Sequence, residues 1–473
     1  MTAVTLAVSA IPAVPPSSPA PATTTASPLL AMPIGRSIAR LAVPTMAVMI
    51  AQAAVSIAET AIIGRLGTEA LAGFALVFPV MMLMQMMAAG GIGGGIASAV
   101  ARALGAGGRD RAAALVPHAL AISASFAVLY TVVIFLAGPT IFRALGGHGA
   151  ALAHAEAYAH VLFLGAIAPW IMFALSSILR GTGNAALPGA AMLAASLSQI
   201  PLSFVLVLGI GDWQGLGIVG AAFSSIATNS AAALFMLRKV WTGSLPFRPG
   251  LGTIGWRFDL FAAILKVGLV ASLSAVMANM TTILVTSLVG GFGVAALAAY
   301  GVGARLEFLQ VPLVFGIGSA LTTLVGVAVG AGDFARARKV AWSGAAAAAI
   351  MTGAIGTFGA LQPDVWLGLF SADPAVHAAG RIYLHHVAPF YVVFGLAMAL
   401  NFAAQGAGRM MGPFLGGLLR MAVATIGGWL AVRGGYGLDG LFTLVGIGML
   451  CFGLVIAGGM WLVPWKARAA GKR

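Results

Sequence analysis

The chain has 473 residues, of which 60% are hydrophobic and 8% are charged, and its mean hydropathy is +1.03. Too few polar residues are present to cover a soluble globule of this length, so the composition excludes a water-soluble protein and indicates an integral membrane protein. The formal net charge of +14 does not indicate a nucleic-acid partner, because the basic residues are spread over short predicted loops beside lipid.

The N-terminal 35 residues differ in composition from the rest of the chain. Residues 12–33 are rich in Ala, Pro, Ser and Thr and carry no charge. Such a segment has no reason to pack, and we predict that residues 1–35 form a disordered tail. No positively charged region precedes its short apolar run, so it does not resemble a signal peptide, and Met32 is an alternative start.

The remainder of the chain consists of apolar runs of membrane-spanning length separated by short breaks. The runs are continuous and not alternating, which favours helices over a transmembrane barrel. A cluster of glycines at 90–95 predicts a helix break or close helix packing inside one run. We predict twelve spans, at 37–63, 70–104, 112–142, 150–181, 185–209, 215–238, 257–289, 295–330, 337–361, 375–406, 410–433 and 438–464.

The chain contains an internal repeat with a fixed offset. Gly181, Gly183 and Pro188 recur as Gly406, Gly408 and Pro413, and we call the common separation of these three pairs the repeat offset. Six spans precede the second copy, so both copies enter the membrane with the same orientation and form a parallel repeat. The predicted fold is an all-α integral membrane protein of two six-helix lobes. We divide it into an N-lobe, a linker, a C-lobe and a basic tail, at residues 36–238, 239–256, 257–464 and 465–473.

The distribution of basic residues predicts the orientation of the chain. With the N-terminus in the cytoplasm, most Lys and Arg residues fall in inner loops, and only Arg65, Arg143 and Arg433 fall outside. This bias is typical of inner loops. We therefore predict a multi-pass protein of the plasma (inner) membrane with both termini and the linker in the cytoplasm.

Polar residues predict a pocket inside the N-lobe. Span 1 carries Gln52, Ser56 and Glu59, whose spacing places them on one helical face. Polar groups in lipid are costly unless they are paired or face water, so we expect Glu59 to be functional. Pairing of Glu59 with Arg65 at the outer interface is the structural alternative.

Other polar residues are predicted to share this pocket. Gln199 and Ser203 lie in span 5 and Ser225 lies in span 6. Pro44 can kink span 1 below Glu59, and we predict that it is a hinge. Serines in spans also bond to their own backbone, which is an alternative for Ser203 and Ser225.

The C-lobe carries a different polar set. Glu307 lies well inside span 8, and Arg420 in span 11 lies at a matching depth. Arg305 is the other candidate partner, and either pair could simply hold helices together. Asn279 on span 7 is predicted to complete a second polar face.

Three motifs together resemble the multidrug and toxic compound extrusion (MATE) family. They are the run 59–67 followed by Ala70-Leu71-Ala72, the turn at 105–107, and the run 179–184. The resemblance covers nearly everything after residue 36. It implies two six-helix lobes forming a V-shaped cleft and the export of amphipathic, often cationic, compounds by antiport against protons or sodium.

The resemblance also assigns site residues. The family's N-lobe cation site would fall on Glu59, Gln52, Gln199, Ser203 and Ser225. Ser203 stands where an aspartate is common, and the C-lobe acids of the sodium-coupled branch would fall on Ala278 and Phe394. The resemblance with these departures favours proton coupling over sodium coupling.

Two other classes of function are compatible with the sequence. A lipid-linked oligosaccharide flippase would share the doubled architecture but needs a more basic cleft, and a membrane enzyme would need convergent His, Asp or Glu residues. We expect no catalytic residues, no cofactor other than the coupling ion, and no metal site. The expected partners are small amphipathic or cationic substrates and membrane lipids, and we expect a monomer.

Overall fold

The computed structural model describes residues 32–243, 245–249 and 255–462. The predicted tails at 1–35 and 465–473 fall largely or wholly outside them. Eleven helices in these ranges are long and apolar enough to cross a membrane, and a pair bent by 47° forms a twelfth crossing. The crossings are α1 (Ile34–Gly64), α2 (Thr68–Gly105), α3 (Arg109–Ala144), α4 (Gly149–Leu164 and Ile167–Gly181), α5 (Ala186–Leu208), α6 (Ile218–Trp241), α7 (Phe258–Gly290), α8 (Val294–Gly330), α9 (Phe334–Leu361), α10 (Pro374–Gly406), α11 (Met411–Arg433) and α12 (Gly437–Leu462).

The all-helical prediction is confirmed, and each predicted span corresponds to one crossing. One difference precedes α6, which begins at Ile218 and not at the predicted 215. Gly209 and Gly215 adopt positive φ in the preceding segment, and Ile210 pairs with Trp213 in an isolated β-bridge. The turn was predicted at 210–214, and it continues through Gly217, so the first three residues of the predicted span belong to it.

We call the membrane face at which α1 begins the proximal face and the opposite one the distal face. Each crossing reverses direction, so α2, α4, α8 and α10 end at the proximal face, at Gly105, Gly181, Gly330 and Gly406. Helices α7–α12 repeat α1–α6 in order and direction. The resulting architecture is two six-helix lobes related by a parallel repeat.

The hydrophobic cores of the two lobes exchange their first helices at the proximal face. Ile38, Leu41 and Ala42 of α1 belong to the core of the C-lobe. Leu260 and Ile264 of α7 belong to the core of the N-lobe. Each lobe therefore buries apolar surface of the other.

The glycine cluster of α2 allows close contact with the C-lobe. A π-helical turn spans Met87–Ile92, and α2 continues beyond it without interruption. A Cβ atom added to Gly95 would lie 2.7 Å from the carbonyl oxygen of Ile264 on α7, and one added to Gly94 would collide with Gln405 on α10. The cluster is therefore a packing surface. Close helix packing was one of the two alternatives predicted from the sequence, and a helix break was the other.

Candidate functional site: two polar sites and the seam between lobes

Glu59 lies buried near the distal end of α1, with 5% of its surface exposed. Gln199 of α5 donates a hydrogen bond from Nε2 to Glu59 Oε1 at 2.8 Å. Thr228 of α6 donates from Oγ1 to Gln199 Oε1 at 3.5 Å. Three helices thus position one carboxyl group and the amide that contacts it.

Glu59 has no cationic partner within salt-bridge distance among the described residues. The guanidinium group of Arg65, the alternative partner, lies 5.7 Å from the ring centre of Phe204 instead. A buried carboxyl group without a counter-charge has its charged form disfavoured, so the group is suited to exchange a proton.

The other predicted N-lobe residues do not hydrogen-bond to Glu59. Ser203 is fully buried, and its Oγ has no hydrogen-bond partner in the described part of the chain. Ser225 Oγ accepts from Asn229 Nδ2 at 3.2 Å. Gln52 is half-buried on α1. Of the five residues, the structure brings together Glu59 and Gln199, while the remaining three lie on the helices that surround them.

Pro44 lies inside α1, which is one continuous helix from Ile34 to Gly64. A Cβ atom added to Gly189 of α5 would lie 2.9 Å from Pro44 Cβ. The proline is therefore packed tightly against α5, and its role as a hinge stays a prediction.

Glu307 and Arg420 pair inside the C-lobe. Arg420 Nη2 lies 3.5 Å from Glu307 Oε1, and the two side chains are 17% and 24% exposed. The Arg420 guanidinium also lies 4.8 Å from the ring centre of Phe394. Tyr383 of α10 donates from Oη to Glu307 Oε2 at 3.4 Å.

The structure separates Arg305 and Asn279 from this pair. The Arg305 guanidinium lies 5.2 Å from the ring centre of Phe370, because it points to another side of α8 than Glu307. Asn279 donates to the carbonyl of Ala275 at 3.0 Å and lies 3.5 Å from Met86 Sδ. Of the two candidate partners, the structure pairs Glu307 with Arg420 and not with Arg305, and a role of Asn279 in a second polar face stays a prediction.

An aromatic pair marks the equivalent place in both lobes. Phe74 and Tyr158 pack edge to face with ring centres 5.5 Å apart. Tyr300 and Tyr383 of the C-lobe pack in the same way at 5.5 Å. The repeat offset relates Tyr158 to Tyr383, and it relates Phe74 to the residue immediately before Tyr300. Tyr383 of the C-lobe pair also donates a hydrogen bond to Glu307.

The lobes join through α2 and α8 at the proximal face, in what we call the proximal seam. Ser98 Oγ donates to the carbonyl of Gln405 at 2.6 Å and to that of Gly406 at 3.1 Å. Thr323 Oγ1 donates to the carbonyl of Arg180 at 3.0 Å. The seam comprises these contacts together with Arg102, Gly105, Val327 and Gly330.

The seam follows the repeat residue by residue. A Cβ atom on Gly105 would collide with the backbone of Val327, and one on Gly330 would collide with the backbone of Arg102. The repeat offset relates Gly105 to Gly330, and it relates Arg102 to Val327. The symmetry is broken where Arg102 donates to Ser98 Oγ and, at 3.1 Å, to the carbonyl of Gly406, because Val327 has no donor to match it.

Two small adjoining cavities lie beside this seam, each with room for about one water molecule. Arg180, Ala89 and Phe315 line both of them. Gln405 lines the first and Ser176 lines the second. None of the residues assigned above to the two polar sites lines either cavity.

Several residues of these sites were not predicted from the sequence. The sequence indicated Thr228 only as one of several polar residues in α6. Arg180 was visible as a motif residue and a basic loop charge, and Tyr158 carried no signal by itself. The repeat offset could have identified the last two, because it relates Tyr158 to Tyr383 and Arg180 to Gln405.

Comparison with known proteins gives one family match and many relatives. The MatE family model matches residues 44–205 and 271–430, once in each lobe. A probable multidrug resistance protein NorM from Deinococcus radiodurans is 29% identical, over 96% of this chain and 99% of its own. A FAD transporter from Shewanella oneidensis is 24% identical, over 90% and 94%. The solved structure of a MOP superfamily transporter from Pyrococcus furiosus is 25% identical with a TM-score of 0.84, over 92% of this chain and 97% of that one.

Proposed function

Because the chain belongs to the MatE family, we propose that it is a secondary active exporter that exchanges amphipathic, often cationic, compounds for protons. The relatives named as multidrug resistance proteins support small-molecule substrates. The environment of Glu59 is the observation that supports coupling of transport to protons. It is a buried acid, hydrogen-bonded to Gln199 and without a counter-cation among the described residues.

A proton suits this site better than sodium does. Sodium needs several hard oxygen ligands around it. In the structure the group facing the Glu59 carboxylate is the N–H of Gln199, and the amide oxygen faces Thr228. A carboxyl group can accept a proton with no further ligand, so proton binding needs no rearrangement of its neighbours.

We propose that the two states of the exchange cycle differ in whether the proximal seam is closed or open. With the seam closed, the lobes are joined beside the proximal face, which we propose is the cytoplasmic one. Rocking of the lobes would part Ser98 from Gln405 and Thr323 from Arg180, and open the proximal side. Protonation of Glu59 would favour one state because it removes a buried charge, and the substrate would favour the other.

Reconstitution in liposomes tests this proposal. The purified protein would be inserted in phosphatidylcholine vesicles with the cationic dye rhodamine 123, under an imposed pH gradient or an imposed sodium gradient. We expect the pH gradient to drive dye transport and a protonophore to abolish it. Transport driven by sodium at equal pH on both sides would contradict proton coupling, and no transport under either gradient would contradict export of such cations.

A further inference from the structure

Arg180 carries a buried charge that no described acid balances. The residue is 9% exposed and lies in the last turn of α4. Its Nη2 donates a hydrogen bond to Ser177 Oγ at 3.2 Å. Within residues 32–243, 245–249 and 255–462 the guanidinium group makes no other hydrogen bond. No Asp or Glu of these ranges lies within salt-bridge distance of it. A guanidinium group has five N–H donors, so most of them are left for another partner.

The seam itself does not require this charge. Gln405 occupies the equivalent position in the second repeat. Its Nε2 donates to the carbonyl of Gly90 at 2.7 Å, and its own carbonyl accepts from Ser98 as that of Arg180 accepts from Thr323. In the other lobe, a residue with a neutral amide side chain therefore occupies the equivalent position and makes the equivalent backbone contact. Burying a charged group without a partner is costly, so the arginine requires another explanation.

A second unpartnered polar group lies beside Arg180. Ser176 is 1% exposed, and its Oγ has no hydrogen-bond partner in the described part of the chain. Ser176 and Arg180 line the same small cavity, to which the C-lobe contributes Phe315. Arg180 and Ser176 thus place a positive charge with N–H donors and an unpartnered hydroxyl group beside this cavity.

We propose that Arg180 and Ser176 form a binding site for an oxyanion, the carboxylate or phosphate group of an amphipathic substrate, between the lobes beside the proximal seam. The guanidinium is the geometric match for such a group, because it can donate two parallel hydrogen bonds to it. This inference rests on the proposed export function and refines its substrate class. The protein would then accept compounds that carry an acidic group as well as a cationic one.

Equilibrium binding of two matched dyes tests this site. Rhodamine 110 carries a free carboxylate, and rhodamine 123 is its methyl ester, so the pair differs in the proposed ligand group alone. Fluorescence anisotropy would give the Kd of each dye for the protein in phosphatidylcholine nanodiscs without any gradient. Proton coupling does not enter this measurement, so its failure is distinct from failure of the proposed transport function.

Arg180→Gln places in the first repeat the residue that the second repeat has. We expect it to weaken rhodamine 110 binding about tenfold, the loss of one charge-assisted interaction. Rhodamine 123 binding should change less than about twofold, which also verifies that the variant is folded. Arg180→Lys should retain most of the rhodamine 110 affinity, and Ser176→Ala should lose part of it. Arg65→Gln, at the distal end of α1, is the matched control and should leave both dyes unaffected.

Three results would overturn the proposal. Equal weakening of both dyes by Arg180→Gln would show a general effect on the protein. An unchanged Kd for rhodamine 110 would show that the arginine holds no oxyanion of the substrate. If phosphatidylglycerol in the nanodiscs abolishes the Arg180-dependent difference, the site takes a lipid headgroup instead of the substrate.

Discussion

Ser98 and Thr323 are equivalent residues of the two repeats, and each donates a hydrogen bond to a backbone carbonyl of the opposite lobe. The acceptors, Gln405 and Arg180, are related by the repeat offset as well. The same contact is therefore made twice about the pseudo-twofold axis. The seam that these contacts form is the part of the interface that must open if the lobes rock.

Gly105→Ala is expected to force the seam open. The new Cβ would collide with the backbone of Val327, which cannot move as a side chain can, and overpacking of this kind costs about 1–3 kcal/mol. Nitroxide labels at Arg109→Cys and Phe334→Cys, after removal of Cys451, would report the separation of the lobes by electron paramagnetic resonance. We expect a longer distance and loss of dye transport.

The control for this substitution lies close by in the same turn. A Cβ atom on Gly108 would meet its closest neighbour at 3.4 Å, so Gly108→Ala should leave both readouts unchanged. If Gly105→Ala behaves like Gly108→Ala, the seam is not a steric gate.

Ser98→Ala and Thr323→Val are expected to weaken the closed seam by unequal amounts. Each lost hydrogen bond is worth about 1 kcal/mol, and Ser98 makes two across the seam whereas Thr323 makes one. The same pair of spin labels should show a larger open fraction for Ser98→Ala than for Thr323→Val. A smaller effect of Ser98→Ala would mean that Arg102, which also contacts Gly406, replaces it.

Glu59→Gln is expected to abolish transport driven by a pH gradient while the protein still inserts and folds. Glutamine has nearly the same shape and can still contact Gln199, but it cannot exchange a proton. The measurement is dye transport in proteoliposomes, together with size-exclusion chromatography of the purified variant. Glu69→Gln, an exposed acid at the start of α2, is the control and should transport normally. Full proton-driven transport by Glu59→Gln would show that another group carries the coupling.

Glu307→Gln is expected to act through stability more than through coupling. It leaves Arg420 half-buried without its acid, at a cost of about 1–3 kcal/mol in the free energy of unfolding. Thermal unfolding in detergent should show a lower Tm for Glu307→Gln and for Arg420→Gln, and the double variant should lose less than the sum. Additive losses would show that the two residues do not interact, and loss of transport at unchanged Tm would assign the coupling to the C-lobe.

The orientation of the chain is open to a labelling test. We predict that Arg248 lies in the cytoplasm and Ser371 outside, from the bias of basic residues. With Cys451 removed, Arg248→Cys should resist an impermeant maleimide in intact cells, and Ser371→Cys should react. Labelling of position 248 from outside would reverse the assignment of the proximal face to the cytoplasm.

The sequence predicted the fold well, because lipid imposes a simple rule on it. Each crossing needs a continuous apolar run, and twelve such runs can be counted without knowledge of their packing. Six of these runs precede the second copy, and this even number gives the two repeats a common direction. The start of α6 was placed at 215 and not at 218 because Leu216 is as apolar as the residues of a span.

The candidate sites were predicted less completely, for a geometric reason. Helical spacing shows which residues share a face, but it does not show which neighbouring helix that face contacts. Glu59 and Gln199 meet because α1 packs against α5, which no spacing within either helix indicates. Arg305 and Glu307 lie close together in the sequence and still point to different partners. Arg180 looked like a loop charge, and only the packing of both lobes around it shows that it is buried.

The exchange of first helices between the two cores bears on how the chain is made. Leu260 and Ile264, which complete the core of the N-lobe, are synthesised only after all six N-lobe helices and the linker. The first six helices therefore remain in the membrane with apolar surface unburied until α7 follows them. Two halves expressed as separate polypeptides, divided within residues 239–256, should each accumulate poorly alone and should rescue each other when they are produced together.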